Sequence, residues 1–248
     1  MRKPFCKYFL MSRCFILTFG LISLTLHPIK TIIKKTYIMD TLKKDFASKL
    51  LNVKAIKLQP NDPFTWASGW KSPFYCDNRK TLSYPGLRNF VKLELVHAVL
   101  EHFPEAEAVA GVATGAIAQG ALVADELNLP FVYVRSKAKD HGMGNLIEGE
   151  LEKGSKVVVV EDLISTGGSS LKAVAALREA GYEVVGMVAS YTYGFPVAAE
   201  AFAEAGVRLE TLTDYDHVVA EAVATGYIAE SDVEVLAEWR KNPSEWRK

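Results

Sequence analysis

Two adjacent carboxylates, Glu161 and Asp162, follow four consecutive valines, Val157–Val160, and precede Leu163, Ile164, Ser165, Thr166, Gly167, Gly168 and Ser169. Four β-branched residues in succession predict a strand covered on both faces, as in a parallel sheet. The acids stand at its carboxyl end, and a helical pattern opens at about Ser170. In open α/β sheets, ligands bind at the carboxyl ends of strands. A glycine-rich turn running into a helix N-terminus presents unpaired N–H groups and a positive dipole end to a phosphate. Paired carboxylates suit vicinal hydroxyls. The segment therefore predicts a sugar-phosphate site, with the anion on Ser165–Ser169 and the hydroxyls on Glu161 and Asp162. The plain alternative is a strand, turn and helix without a ligand. Two acids leading from a buried strand into a glycine turn argue against it. Nucleotide-binding patterns do not fit: Ser169 stands where a Walker loop has its lysine, and no GxGxxG opens a helix.

Three further segments carry chemistry. In FVYVRSKAKDHGMG, residues 131–144, Arg135, Lys137, Lys139 and His141 fall at alternate positions. An extended chain projects them from one face. Such a row of cations suits a polyanion such as pyrophosphate, and Gly142, Gly144 and Gly149 let the segment open and close. The alternative is a solvated basic loop. In FTWASGWKSPF, residues 64–74, Ser68-Gly69 forms a tight turn whose N–H groups suit a carboxylate. Lys71 adds a cation, and Phe74 and Tyr75 offer faces to a flat ring. The alternative there is an aromatic core loop. In AGVATGAIAQG, residues 110–120, a strand ends in a small-residue turn and a helix begins.

The elements that must position these groups alternate along the chain. Helices are predicted over Asp40–Leu51, Leu87–His102, Gly115–Leu127, from about Ser170 to Ala180, and over Pro196–Ala205. Strands are predicted at Ala108–Val112, Phe131–Arg135, Lys156–Val160, Val184–Ala189 and Val207–Leu212. Pro60–Pro85 reads as a loop and short hairpin, Ser136–Gly149 as a glycine-punctuated loop, and Asp216–Trp246 as mostly helical. Alternating βαβ units predict an α/β domain with a parallel sheet and right-handed crossovers. No repeats or low-complexity linkers divide the body.

The 248 residues are 49% hydrophobic and 23% charged, as in an ordinary globule. Net charge is zero but unevenly placed. No acid precedes Asp40, whereas Arg2, Lys3, Lys7, Arg13, Lys30, Lys34 and Lys35 give +7. Taking these seven from 29 basic residues leaves 22 against 29 acids, a body of net −7. That balance argues against general nucleic-acid binding. Residues 1–38 read as a leader outside the domain 39–248. Phe15–Leu26 is apolar but falls short of the ~20 residues a membrane span needs. A translated upstream region with the true start at Met39, a signal or membrane anchor, and a mitochondrial-type or other tail all remain open. Cys6 and Cys14 lie in the leader and Cys76 stands alone in the body, so no disulfide framework is expected. The five histidines make no HExxH or other metal spacing.

On these residues the chain resembles the type I phosphoribosyltransferases and, among them, the orotate phosphoribosyltransferases. The resemblance covers roughly Met39–Tyr215. Glu161–Ser169 is similar to their phosphoribosyl-pyrophosphate (PRPP) signature. It implies that Glu161 and Asp162 hold the ribose hydroxyls, and that the turn after Leu163 and Ile164 holds the 5′-phosphate. The basic loop ending in Lys-Asp-His-Gly resembles the family's mobile loop. That implies PRPP-binding and catalytic roles for Arg135, Lys139 and His141, alongside Asp162, and a homodimer whose loops reach into each other's active sites. Residues 64–74 resemble the orotate loop, implying orotate contacts for Lys71 and Phe74; Ser165 matches a further orotate contact. Residues 110–120 resemble the pyrophosphate loop. Four departures stand out: Ala67 and Ser136 replace lysines of relatives, the pyrophosphate loop has no lysine, and Tyr193 stands near the place of an arginine. The implied fold is the parallel-sheet type I phosphoribosyltransferase fold with a small N-terminal hood region. The implied reaction joins orotate to PRPP with Mg²⁺, held mostly by substrate oxygens and with no protein metal ligands. A cytoplasmic setting, with neither membrane nor nucleic acid as partner, goes with it. A purine phosphoribosyltransferase would share the PRPP turn without FTWASG and KDHG together. A PRPP-sensing repressor would bring a helix-turn-helix that the leader lacks.

Overall fold

The computed structural model describes residues 37, 39–66, 69–137 and 146–247. Contacts separate Met1–Leu42 from Lys43–Lys248. In the first unit, Tyr37 and residues 39–42 are helical. The second unit opens with helix α1, residues 43–52, which buries Phe46, Leu50 and Leu51. Two small antiparallel ribbons follow. β1 (Ile56–Leu58) pairs with β4 (Phe74–Cys76), and β2 (Phe64–Thr65) pairs with β3 (Lys71–Ser72). A 3₁₀ turn over Asn78–Ser83 leads into α2 (Pro85–His102).

The rest alternates. β5 (Ala108–Val112), α3 (Ile117–Leu127), β6 (Phe131–Val134) and β7 (Ile147–Glu148) precede β8 (Lys156–Ile164) and α4 (Gly168–Glu179). Then come β9 (Glu183–Thr192), α5 (Pro196–Glu204), β10 (Leu209–Asp214), α6 (Tyr215–Ala224) and α7 (Asp232–Lys241). The sheet order is β10-β9-β8-β5-β6-β7. Five strands are parallel, as expected; β7 joins β6 antiparallel at the edge, inside the stretch expected to be all loop. Pairing with Tyr133 and Val134 makes Ile147–Glu148 a strand, and two residues are too few to show a period in the sequence.

Both faces of the sheet are covered, which is why its central strands are continuous apolar runs. Alternation along β8 sends Val158 and Val160 into one core with α1, α2, α3, α6 and α7. Val157 and Val159 enter the other core with α4 and α5. The chain thus leaves β5 toward one face and β8, its neighbour, toward the other. The strand order reverses between them, the topological switch point where open α/β sheets form a ligand crevice.

Candidate active site

The loop after β5 and the turn after β8 flank this crevice. β8 runs to Ile164, four residues past the expected end, because Glu161, Leu163 and Ile164 stay in register with Ala189, Tyr191 and Thr192 of β9. Glu161 and Asp162 are therefore strand residues, and neighbours in a strand point to opposite faces.

Glu161 turns toward α4. It is 4% exposed. Its Oε2 accepts from the Ser170 hydroxyl at 2.8 Å and its Oε1 from the Asp162 N–H at 2.9 Å. Burial, with the Asp162 charge beside it, pushes its pKa up to about 8. Asp162 turns toward α3 and is half-buried. A Cβ on Gly115, in the loop after β5, would lie within 2.6 Å of all three Asp162 carboxylate atoms. Only glycine lets that loop pass so close to the acid. The two acids thus point to opposite faces of the sheet: Asp162 packs against the loop after β5, and Glu161 ties α4 to β8.

The turn Ser165–Gly167 leads into α4, which starts at Gly168, two residues before expected. Gly167 has φ 80°, and a Cβ there would meet Phe202 Cε2 at 2.9 Å. No side chain caps the helix, so its first N–H groups are left to a ligand or solvent. Thr166, Gly168 and Ser169 are exposed, and Ser165 is half-buried. Leu163 and Ile164 pack into the cores, which leaves the strand backbone as their contribution to the crevice.

In the basic segment, Arg135 is half-buried beside Glu148, with Nη1–Oε1 at 3.4 Å, and its N–H donates to the Leu146 carbonyl. Ser136 and Lys137 are exposed. Lys139 and His141 lie outside the described residues, as do Ala67 and Ser68 of the orotate-like loop. The Lys71 ammonium is exposed and donates to Thr65 Oγ1 at 2.8 Å across the β2–β3 ribbon.

Phe74 corrects an expectation. It is fully buried, with ring centroids 5.1 Å from Tyr215 and 5.3 Å from Trp239. Alternation along β4 turns Phe74 inward and Tyr75 outward, so Phe74 is core and offers no face to a flat ring. The Trp66 indole N–H donates to the Phe74 carbonyl at 2.9 Å and pins the β2–β3 ribbon to this cluster. Tyr193 is buried in the same cluster, stacked on Phe195 at 5.4 Å.

Sequence reasoning missed the groups that brace the crevice. Asn78 is buried, and its amide donates to the Asp162 carbonyl at 2.6 Å. The Asn78 carbonyl accepts from Thr81 Oγ1, which in turn accepts from Gln119 of α3 at 3.1 Å. These hydrogen bonds tie α3 to the end of β8 through the 3₁₀ turn. Their only sequence signal was an Asx residue just past a strand. Cys76 adjoins Asn78, with Sγ–Oδ1 at 3.5 Å. Burial first, then Asp162 and Asp77, push its thiol pKa up.

The phosphoribosyl transferase domain family matches residues 99–212, which run from the end of α2 into β10 and include the loop after β5 and the turn after β8. An orotate phosphoribosyltransferase of Phocaeicola vulgatus is 72% identical over 208 residues, 84% of this chain and 98% of that protein. The crystal structure of orotate phosphoribosyltransferase from Aeropyrum pernix is 31% identical with a TM-score of 0.64, covering 74% of this chain and 99% of that one. Leishmania donovani UMP synthase gives a TM-score of 0.67 at 26% identity; 79% of this chain is covered, but only 42% of that longer one. The switch-point crevice, the PRPP-like turn and these likenesses converge: the chain belongs to the orotate phosphoribosyltransferase family.

Proposed function

We propose that the chain transfers the 5-phosphoribosyl group of PRPP to orotate, giving orotidine 5′-monophosphate and pyrophosphate. The observation that supports this best is Asp162 at the switch point, packed against the loop after β5 and followed within a few residues by the uncapped start of α4. The 5′-phosphate sits on the N–H groups of Thr166–Ser169, and Asp162 accepts from a ribose hydroxyl. Glu161, 4% exposed and with both oxygens engaged, holds the turn's helix on the strand. The bond from ribose C1 to pyrophosphate breaks with its electron pair leaving on pyrophosphate, as the N1 nitrogen of orotate bonds to C1 and its proton passes to water. Catalysis then consists of aligning the reactants and stabilising the leaving anion. Arg135, Lys139 and His141 supply that positive charge when their loop closes over the site. In a homodimer each loop serves the partner's crevice. A soluble cytoplasmic setting fits, because PRPP is an intracellular metabolite.

The side chains around the crevice fit Mg²⁺ that arrives with its substrate. Asp162 is a part-open carboxylate there. Mg²⁺ commonly binds through one carboxylate plus phosphate oxygens. Bound there, it would neutralise charge on the pyrophosphate.

The test follows orotate consumption with PRPP and Mg²⁺, with adenine and hypoxanthine as competing acceptors. Orotate should be consumed with one pyrophosphate released per turnover. Preference for a purine would overturn the assignment.

A further inference from the structure

Orotate differs from uracil by one carboxylate, and a cation with free donors beside the sugar would select it. Lys71 bonds Thr65 in the outer ribbon, Tyr193 is buried in the core, and Ala67 has no charge. Arg79 is differently placed. The amide of the preceding residue, Asn78, grips the Asp162 carbonyl, so the turn carrying Arg79 is docked on the end of β8. The Arg79 side chain is 59% exposed. Its Nε donates to Asp77 Oδ1 at 2.7 Å, and this guanidinium holds the Asp77 carboxyl below the usual carboxylate range. Its charge also interacts with Asp162 and Tyr75. Its two terminal amino groups have no hydrogen-bond partner among the described residues.

Asp77 thus fixes one edge of the guanidinium and leaves the Nη1–Nη2 edge open. That edge matches a carboxylate in two parallel hydrogen bonds, a geometry an ammonium cannot reproduce. We propose that Arg79 recognises the carboxylate of orotate through this edge, in a crevice whose sugar side is lined by Asp162. The assignment rests on the functional reading above.

The experiment compares kcat/KM for orotate and for uracil, at saturating PRPP and Mg²⁺, in the wild-type protein, Arg79→Ala and Arg79→Lys. The orotate-to-uracil ratio should fall about tenfold or more in Arg79→Ala, the effect of losing hydrogen bonds to a charged group. Arg79→Lys should recover part of it, and guanidinium added to Arg79→Ala should raise turnover of orotate but not of uracil. KM for PRPP should stay unchanged. If Arg79→Ala fails to fold, Arg79→Lys carries the same comparison, because it keeps the charge and loses the paired edge. Equal losses for both bases, an unaltered ratio, or a rise confined to the KM of PRPP would overturn the assignment of Arg79 alone. Wild-type protein that used neither base would overturn the functional reading, and this inference with it.

Discussion

Gly115→Ala should disable the enzyme without unfolding it. The new methyl would fall within 2.6 Å of every Asp162 carboxylate atom, whereas ordinary contact begins at 3.4 Å. Even the farthest oxygen must retreat by 0.8 Å, the difference between those distances, and the nearest by more. Gly115 is not among the positive-φ glycines, so alanine fits its backbone. The obstacle is a side-chain end, which swings at little cost in stability. A displacement of about 1 Å at a reacting centre can cost about 10²-fold in rate. We therefore expect kcat/KM for PRPP to fall about 10²-fold while urea denaturation shifts by no more than about 1 kcal/mol. Gly86→Ala, with nothing within 4 Å of the new methyl, is the control and should be neutral. Combining Gly115→Ala with Asp162→Ala supplies the decisive comparison. If the methyl acts by displacing Asp162, it should add little once that carboxylate is gone. Fully additive losses, or an unchanged kcat/KM in Gly115→Ala, would refute the placement of Asp162 at the reacting sugar.

Three more perturbations follow. Glu161, with its pKa pushed up to about 8, stays protonated in the native state after its unfolded counterpart, near 4.5, has ionised. Its contribution to stability is therefore full below pH 4.5 and is lost as pH rises to about 8. Melting curves should show wild-type stability falling across that window by up to a few kcal/mol, and Glu161→Gln should show a flatter profile; parallel profiles would mean the acid is not desolvated. Gly167→Ala forces a side chain onto a φ of 80° and against Phe202. It should cost about 1–2 kcal/mol in urea denaturation and raise the KM of PRPP; an unchanged KM would remove the turn from the phosphate site. Lys139→Ala should lower kcat by roughly 10²–10³ with stability intact. Mixed with Asp162→Asn subunits, it should regain up to about half of wild-type activity per heterodimer, and no recovery in verified heterodimers would mean the loop serves its own subunit.

The valine run and the turn after it were legible because a doubly covered central strand and a helix-opening glycine turn leave strong local signatures. β5 falls at its expected residues for the same reason: all five are buried, so composition alone marks them. What the sequence hid was pairing and facing. β8 extends through its acids because β9 continues beside it, and that register separates Glu161 from Asp162. Phe74 and Tyr75 alternate visibly, yet which one enters the core depends on Tyr193, Tyr215 and Trp239, more than a hundred residues away. Gly115 read as one small residue in a small-residue turn; its importance lies in the carboxylate that passes over it. Asn78, Thr81 and Gln119 carry no signature of their own, since their hydrogen bonds join segments brought together only by folding.

The central claim is spatial: the sugar phosphate lies in the crevice between β5 and β8. A crystal structure with PRPP and Mg²⁺ bound tests it most directly. We expect the 5′-phosphate within hydrogen-bonding distance of the N–H groups of Thr166–Ser169, and a ribose hydroxyl on the Asp162 carboxylate. A phosphate bound away from that turn, with Asp162 facing solvent, would contradict the account.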